Sequence, residues 1–468
     1  MSSPGPSAAP RRSSRAAETA SPHVALAWVD EDAVADRSAR RDVAAAAGPY
    51  AVAHADLLVD RPRRSPVRAS TTLPALGVTA LVVGGYAAST LLWPLHAVVP
   101  EVLPAAVAAP AAAAAQPAWP AEGMAATAVD ALGATAASTA DIESIASITK
   151  LVTVLVVLDR MPLAAGEQGP EFDFTSADRR EYRAYLADDQ SALDVPVDGT
   201  LTQYQLLQGV LIGSANNYAD RLVSELWPNE DAYVRSANTW LAEHGLGGVT
   251  ITDSSGIDPG NAADPAAVVA LARAAMANPV VASIVGQRSV ELPGAGDVEN
   301  TNALLADPAV VGVKTGSLDG IYNLAAAEDA TFDGVPVRAY AVVLGQPDDE
   351  TRHSAAAALL ERTLAEVAAS PSLPAGTLAG TVTTAWGATA DVLTDADVRV
   401  ALWNAQGSQA STAFDLGDAR TSGEPVGELT LTGPLGTATT AVHLAADIPD
   451  PDGWWRLSHP LQLWGLAD

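Results

Sequence analysis

Apolar residues form one long uncharged run near the N-terminus and shorter patterned segments after it. Between Arg68 and Glu101, 32 residues carry no charged side chain. The apolar centre of this run, Leu73 to Leu95, is long enough to span the hydrocarbon core of a membrane as a helix. A buried core helix is the alternative, but it leaves the absence of charge on every face unexplained. The pattern therefore predicts a transmembrane helix over residues 73–98.

The segments on both sides of this helix have the composition of unfolded chain. Residues 1–72 are rich in Ala, Arg, Ser, Pro and Asp, which predicts a largely disordered tail. Residues 99–119 consist mainly of Ala and Pro, which predicts a semi-extended spacer, and their Ala-x-Ala triplets leave later proteolytic release open. An arginine cluster precedes the helix, so the positive-inside rule places the tail in the cytoplasm. The cluster consists of Arg61, Arg63, Arg64 and Arg68.

From residue 120 onward, strand-like and helix-like patterns alternate. Met124–Asp130 and Ala134–Thr139 flank a turn at Gly133 and predict a β-hairpin. The apolar run Ile148–Leu158 has the length of a helix, although its β-branched residues also suit a strand. Further helices are predicted at Thr202–Gly213, Ala266–Met276 and Ser354–Ala369, and strands at Val310–Val313 and Ala339–Leu344. Helices interleaved with few strands predict an α/β domain over residues 120–370.

The pattern changes after Gly376 to short alternating runs with turn residues about every ten positions. These runs are Gly380–Ala385, Asp397–Trp403, Gly427–Leu431 and Ala438–Leu444. Such spacing is typical of a small all-β sandwich or barrel. We therefore expect a C-terminal β domain over residues 376–468. Trp454, Trp455 and Trp464 are expected to pack in its core, and binding of a glycan surface is the alternative for them.

Charge and composition exclude several classes of function. The net charge is −29, and residues 101–468 carry all of the excess of acids. An acidic body is a poor partner for nucleic acid, whose binding requires cationic side chains against phosphates. The absence of cysteine excludes disulfides, thiolate catalysis and cysteine-ligated zinc. The seven histidines are scattered singly, so the sequence predicts neither a metal site nor a cofactor.

Lysine is almost absent, and the positions of the few lysines are informative. The chain has two lysines, Lys150 and Lys314, while all other basic residues are arginine. An arginine does not give up its proton in a protein, whereas a desolvated lysine does. We therefore expect both positions to need an amine.

The first lysine lies in the motif Ser147-Ile148-Thr149-Lys150. Residues three apart on a helix share a face, so the Ser147 hydroxyl and the Lys150 amine can come within hydrogen-bonding distance. A serine hydroxyl is a weak nucleophile until a neighbouring base takes its proton. Lys150 can be that base if burial and a nearby cation lower its pKa toward neutrality.

Two more motifs complete the candidate site. Ser214 and Asn216 are two apart on a loop, where both can project into one cleft. The triplet Ser214-Ala215-Asn216 recurs as Ser236-Ala237-Asn238, within a helical run, and we interpret that second copy as unrelated to the site.

The third motif is Lys314-Thr315-Gly316-Ser317. It follows an apolar strand, where a lysine and a hydroxyl can hold a carboxylate. Gly316 would let a substrate backbone lie against the strand.

In this order, Ser-x-x-Lys, Ser-x-Asn and Lys-Thr-Gly resemble the motif set of penicillin-binding proteins and serine β-lactamases. The chain more closely resembles the low-molecular-mass D-alanyl-D-alanine carboxypeptidases, over about Trp119 to Ala369. That family implies a β-lactamase/transpeptidase-like α/β catalytic domain, an antiparallel sheet flanked by helices, followed by a small all-β sandwich. One departure is Asn217, where the family often has Asp. The segments that carry the resemblance are Ala146–Thr153, Leu211–Asn217, Asn300–Leu305 and Gly312–Gly316.

The resemblance implies that Ser147 attacks the carbonyl between the two terminal D-alanines of a peptidoglycan stem pentapeptide. Lys150, neutral in the resting enzyme, takes the proton of Ser147. Ser214 passes a proton to the departing D-alanine, and Asn216 orients Lys150 and the substrate amide.

The third motif is implied to bind the substrate. Lys314, in its charged form, and Thr315 hold the terminal carboxylate. The backbone amides of Ser147 and Ser317 form the oxyanion hole. Water then hydrolyses the acyl-enzyme, and no metal or cofactor takes part.

The predicted protein is therefore a serine DD-carboxypeptidase held in the cell membrane by one helix, with its body on the extracellular face. Its expected partners are peptidoglycan stem peptides, with β-lactams as covalent inhibitors. A DD-endopeptidase that cleaves peptidoglycan cross-links uses the same residues and stays open as an alternative. A non-catalytic cell-wall scaffold is a third hypothesis, disfavoured because all three motifs are intact.

Overall fold

A computed structural model describes residues 69–467, with side chains from residue 73 onward. The predicted cytoplasmic tail, residues 1–72, lies outside this range except for its last four residues, which begin a helix. The helices are α1 (Ala69–Leu92), α2 (Thr149–Arg160), α3 (Ser176–Ala187), α4 (Gln203–Leu211), α5 (Asn216–Leu226), α6 (Glu230–Glu243), α7 (Pro265–Ala277), α8 (Pro279–Val285), α9 (Asp349–Ala368), α10 (Gly453–Ser458) and α11 (Pro460–Leu463). Short 3₁₀ turns lie at Leu95–Ala97, Ala146–Ile148 and Ala303–Ala306.

The strands are β1 (Glu101–Pro104), β2 (Met124–Val129), β3 (Leu132–Ala137), β4 (Glu143–Ser144), β5 (Glu171–Phe174), β6 (Gly199–Thr202), β7 (Val249–Thr250), β8 (Ala262–Ala263), β9 (Ser289–Leu292), β10 (Gly296–Glu299), β11 (Val310–Leu318), β12 (Ile321–Phe332), β13 (Val335–Gln346), β14 (Ser372–Leu373), β15 (Leu378–Thr383), β16 (Thr389–Thr394), β17 (Val398–Arg399), β18 (Gln409–Phe414), β19 (Pro425–Gly433) and β20 (Gly436–Leu444).

Helix α1 is long and apolar enough over Leu73–Leu92 to cross a membrane, and hardly any of it is buried. It starts and ends earlier than the predicted span 73–98. Its C-terminal end is set by Pro94, because the residue before a proline is disfavoured in helical conformation. The chain divides into two units inside α1, after Leu81, and the features described next belong to the second unit.

Five antiparallel strands form the central sheet, in the order β11-β12-β13-β2-β3. The predicted hairpin is confirmed, since β2 and β3 pair with each other, but its turn lies at Asp130 and Ala131, and Gly133 belongs to β3. Alternate residues of β13 face two cores. Tyr340 and Val342 pack with the helices around α2, whereas Ala341 and Val343 pack with α9. This alternation follows from the two-residue period of a strand. The predicted α/β architecture, an antiparallel sheet flanked by helices, is therefore confirmed.

The apolar run Ile148–Leu158 is a helix, which settles the choice between helix and strand. Thr149 to Leu158, ten successive residues of α2, are all buried. A helix that is buried on every side lies in the centre of a large core. Its β-branched residues cost some helix propensity, but burial outweighs so weak a preference.

The C-terminal region is rich in strands, as predicted, and contains a six-stranded antiparallel sheet in the order β1-β15-β16-β20-β19-β18. Its core includes Val382, Val392, Leu431 and Val442. The sequence predicts only β structure up to the end of the chain, but the last described residues form the short helices α10 and α11.

The tryptophans of these helices do not all pack in the β core. Trp454 is 76% exposed, which contradicts the expectation for that residue. Trp464 contacts the edge of Trp93, with 6.3 Å between ring centroids. Arg456 donates a 2.8 Å hydrogen bond to the Trp93 carbonyl. The C-terminal helices therefore pack against the segment that follows α1.

The segment 99–119 is extended, as expected, but it forms part of a sheet instead of a linker. Strand β1 pairs with β15, with Val102 opposite Val382. Farther along, the Ala112 amide donates to the Gln406 carbonyl at 2.8 Å. Pro104 is tolerated because β1 lies at the edge of the sheet, where a missing N–H group leaves no neighbour unpaired.

A soluble form that begins at Val99 is expected to unfold at a higher temperature than one that begins at Ala121. The shorter form lacks β1 and leaves the backbone of β15 unpaired along its edge. Each lost hydrogen bond is worth about 1 kcal/mol, so the difference should be at least several degrees. Thermal unfolding followed by circular dichroism measures it, and equal unfolding temperatures would show that the segment does not stabilise the sheet.

Candidate active site

The candidate nucleophile Ser147 lies in the 3₁₀ turn that leads into α2. This turn is enclosed by two glycines of other segments. A Cβ on Gly256 would lie 2.0 Å from the Ala146 carbonyl oxygen, and one on Gly316 would lie 2.7 Å from the Ile145 carbonyl oxygen. Both neighbours therefore have to be glycine for the backbones to approach this closely.

Lys150 is fully buried one helical turn after Ser147. Its Nζ lies 2.8 Å from Ser147 Oγ and 2.6 Å from the carbonyl oxygen of Ser255. Burial lowers the pKa of Lys150 from 10.5 to about 7, and the carboxylates of Asp220 and Asp253 partly oppose that shift. A substantial fraction of neutral amine is therefore present near pH 7, next to the hydroxyl from which it would take a proton.

The second motif lies between α4 and α5. Ser214 is buried and has a backbone φ of 55°, in the left-handed region that non-glycine residues rarely adopt. Asn216 is the first residue of α5, and its Nδ2 donates a 2.8 Å hydrogen bond to Gln190 Oε1. Within residues 69–467, neither residue forms a hydrogen bond to Lys150 through its side chain. The sequence did not predict the contact with Gln190.

The third motif forms the middle of β11. Lys314 is 2% exposed, and its Nζ has no hydrogen-bond partner among the described residues. Burial, together with the positive charges of Lys150 and Arg352, holds the pKa of Lys314 well below its ordinary range. The ammonium form of Lys314 is therefore disfavoured in the ligand-free site, and its charge in the substrate complex stays a prediction. A bound carboxylate would reverse this, because an opposite charge nearby favours the ammonium form.

Thr315 and Ser317 are held by residues outside the motif. The hydroxyls of Thr315 and Thr301 are 2.6 Å apart. The Arg352 guanidinium donates to Ser317 Oγ at 2.9 Å and to the Gly316 carbonyl at 3.0 Å. Sequence analysis missed Arg352, because the predicted helix began two residues after it. Its spacing of three from Asp349, with which it forms an ion pair, was the available signal.

One cleft of about 310 Å³ brings the three motifs together, since Ser147, Asn216 and Ser317 all line it. Lys150, Ser214, Lys314, Thr315 and Gly316 are buried. Other lining residues include Asp188, Asp189, Asp319, Ile257 and Tyr322.

The second copy of the Ser-x-Asn triplet lies in α6, away from the lining of this cleft. Asn238 bonds both the amide and the carbonyl of Ile251, which is a structural role. Among residues 69–467 there is no group of three or more histidine or acidic side chains placed to hold a metal ion.

Comparison with known proteins finds a match over the region that carries the motifs. Residues 134–348, a little under half of the chain, match the model of the D-alanyl-D-alanine carboxypeptidase family, peptidase family S11. All three motifs lie within this match. The resemblance inferred from the motifs is confirmed.

A curated relative is the D-alanyl-D-alanine carboxypeptidase DacB2 of Mycobacterium tuberculosis. It is 36% identical over 144 residues, which are 29% of this chain and 47% of the relative. The chain thus aligns with about half the length of that D-alanyl-D-alanine carboxypeptidase.

One solved structure with some likeness is penicillin binding protein 5 from Haemophilus influenzae, with a TM-score of 0.49 and 18% sequence identity. The superposition covers 72% of this chain and 99% of that protein's chain. A second is the Streptomyces K15 DD-transpeptidase, with a TM-score of 0.47 and 22% sequence identity. That superposition covers 53% of this chain and 99% of the transpeptidase chain. Both TM-scores lie below 0.5.

The rate of acylation at Ser147 is expected to rise with pH through about 7 in the ligand-free enzyme. Only neutral Lys150 can accept the serine proton, and burial lowers the pKa of this lysine to about 7. Below that value the rate should fall about tenfold per pH unit, because the neutral fraction does. Stopped-flow measurement of labelling by a fluorescent penicillin checks this. An acylation rate that rises only around pH 10 would contradict the assignment of a desolvated Lys150 as the base.

Proposed function

We propose that this protein is a serine D-alanyl-D-alanine carboxypeptidase that removes the terminal D-alanine from peptidoglycan stem pentapeptides. The observation that carries the proposal is the 2.8 Å contact between Ser147 Oγ and the buried amine of Lys150. A hydroxyl next to a base with a pKa near the working pH is the arrangement that nucleophilic catalysis requires. The family match over all three motifs supports the same reaction.

Acylation starts when Lys150 takes the hydroxyl proton as Ser147 Oγ attacks the carbonyl carbon of the penultimate D-alanine. The negative charge that develops on the carbonyl oxygen is stabilised by the backbone amides of Ser147 and Ser317. The bond to the terminal D-alanine then breaks, and its nitrogen receives a proton through Ser214. Water attacks the resulting ester and releases the shortened peptide.

Recognition of the substrate is assigned to the buried cations under the cleft. Lys314 Nζ has no hydrogen-bond partner among residues 69–467, and Arg352 lies close enough to lower the pKa of Lys314. A buried amine without a partner, with a guanidinium close by, favours an anionic ligand. The terminal carboxylate of the stem peptide supplies that charge, with the Thr315 hydroxyl as a further donor.

Asn216 has to change its partner for the role that the family implies. Its carboxamide is bonded to Gln190 in the ligand-free site. Orienting Lys150 or the substrate amide requires the Asn216 side chain to turn away from Gln190. Substrate binding would supply the new hydrogen bonds that offset the loss of this one.

The same residues account for the proposed partners and location. β-Lactams react with Ser147 as substrate analogues and form a stable acyl-enzyme. Helix α1 anchors the protein in the cell membrane by a single pass, with the body on the extracellular face, where peptidoglycan lies. Residues 120–370 form the catalytic domain, and residues 376–468, together with strand β1, form the C-terminal β domain.

Purified full-length protein is expected to release D-alanine from a stem pentapeptide, and Ser147→Ala should lower the rate by about a thousandfold or more. Loss of the nucleophile removes the covalent route, whereas the cleft stays intact. Analysis of digested muropeptides measures the products. Shortened monomers support a carboxypeptidase, while loss of cross-linked dimers instead would support the endopeptidase alternative. A Ser147→Ala variant with undiminished release would contradict the assigned nucleophile.

Protease added outside intact cells is expected to degrade the body and to leave a fragment that contains residues 1–70. Four arginines before α1 hold that end of the helix in the cytoplasm. Immunoblotting with an N-terminal tag detects the fragment, and cells opened with detergent provide the control in which it disappears. Protection of the body in intact cells would show the opposite orientation.

A further inference from the structure

Lys150 has a second hydrogen-bond partner that none of the three motifs supplies. Its Nζ lies 2.6 Å from the carbonyl oxygen of Ser255. A carbonyl accepts hydrogen bonds and cannot donate one, so this contact takes up one N–H bond of the neutral amine. The lone pair and the remaining N–H bond are then left for Ser147 and the cleft. The Ser255 carbonyl therefore fixes how the amine presents its lone pair to Ser147.

The loop that carries Ser255 is organised by one buried carboxylate. Asp253 is 6% exposed. One of its oxygens accepts from the amides of Ser255 at 2.7 Å and Gly256 at 2.5 Å. The other accepts from the Asp258 amide at 2.6 Å and from Asn261 Nδ2 at 2.9 Å. A carboxylate with this many donors holds the surrounding backbone in one conformation.

The Gly256 amide and the Ser255 carbonyl belong to the same peptide group. In a trans peptide the N–H and C=O bonds point in opposite directions. When Asp253 binds the Gly256 N–H group, the Ser255 C=O group is turned away from Asp253, toward Lys150. The negative charge at the N–H end also polarises the peptide and makes the carbonyl a stronger acceptor.

We infer that Asp253 is a positioning residue for the reaction, acting on Lys150 through the Ser255–Gly256 peptide. This inference rests on the proposed role of Lys150 as the base. Asp253 does not contact Ser147. It fixes the direction of the Ser255 carbonyl, which in turn orients the amine of Lys150. Each base needs a third group to orient it, and here a peptide bond transmits the effect of a carboxylate.

A second carboxylate holds the same loop from the opposite side. Asp220 of α5 accepts a hydrogen bond from the Ser254 hydroxyl. The Ser254 carbonyl accepts from Thr153 of α2 at 2.6 Å. The peptide groups on both sides of Ser255 are therefore tied to elements around Lys150, and the loop cannot shift without breaking several of these bonds.

The charges that face Lys150 come from three elements. Asp220 on α5 and Asp253 on the loop favour its ammonium form, and the interaction between Lys150 and Lys314 on β11 lowers the pKa of Lys314. Glu230 of α6 lies near both carboxylates, and the Tyr233 hydroxyl bonds Thr153. Removal of the Asp253 charge leaves Asp220 alone to oppose the effect of burial, so the pKa of Lys150 should fall further.

The test compares full-length protein in detergent with the variants Asp253→Asn, Asp253→Ala and Asp258→Asn, using a fluorescent penicillin over a range of pH. Asp258 is an exposed acid of the same loop whose side chain accepts from the Gly260 amide, and its variant serves as the matched control. Both Asp253 variants should lower the maximal acylation rate by about a hundredfold, since the base is misaligned. Their rising limb should also move to lower pH by about half a unit or more. Asp258→Asn should change neither quantity appreciably.

The position of the pH limb does not depend on how much of the sample is folded, so it separates an effect on Lys150 from a loss of stability, and the maximal rate per folded molecule reports the positioning. Asp253 variants that keep the wild-type maximal rate per folded molecule would overturn the inference, even if their limb moved or their unfolding temperature fell. Failure of both variants to fold would overturn it too, because the carboxylate would then serve the fold. Wild-type protein that is not acylated at all would instead refute the proposed function, a result distinct from either of these.

Discussion

The site and much of the core depend on one constraint, which is that the amine of Lys150 is kept out of water. A lysine keeps its proton at neutral pH unless burial makes the ammonium form costly. Lys150 reaches that condition because every side of α2 over its first ten residues is enclosed by other elements. The apolar helices around it, the sheet beneath it and the glycines that let two further segments close over Ser147 all serve the exclusion of water.

A buried site with three cations is unusual in a chain that is strongly acidic. Lys150, Lys314 and Arg352 repel one another where solvent screens little, and burying unpaired charge is costly. The ligand-free site relieves this cost by lowering the pKa of both lysines. A substrate with a terminal carboxylate brings the missing negative charge, so binding and protonation of Lys314 are linked. Lys314 protonated in this way disfavours a second ammonium at the nearby Lys150.

The sequence was sufficient for the parts of the fold and the site that depend on local pattern. The hairpin of β2 and β3, the helices α4, α7 and α9 and the three motifs are all visible as periodicity or short spacing. What the sequence missed depends on contacts between distant segments. Arg352 looks like one more surface arginine at a helix start, and Asp253 is one acid among many. The Ala/Pro segment 99–119 has a linker composition, and only the open edge of β15 makes it a strand.

The pairing of β1 with β15 also has a consequence for the order in which the protein folds. The two strands are separated by more than 270 residues, which include the whole central sheet. Contacts so far apart in sequence form late, after the intervening chain has become compact. During synthesis, β1 has no partner until nearly the entire body has emerged, and the edge of β15 has no cover until β1 reaches it. We therefore expect the C-terminal sheet to close late, after the chain between the two strands has folded.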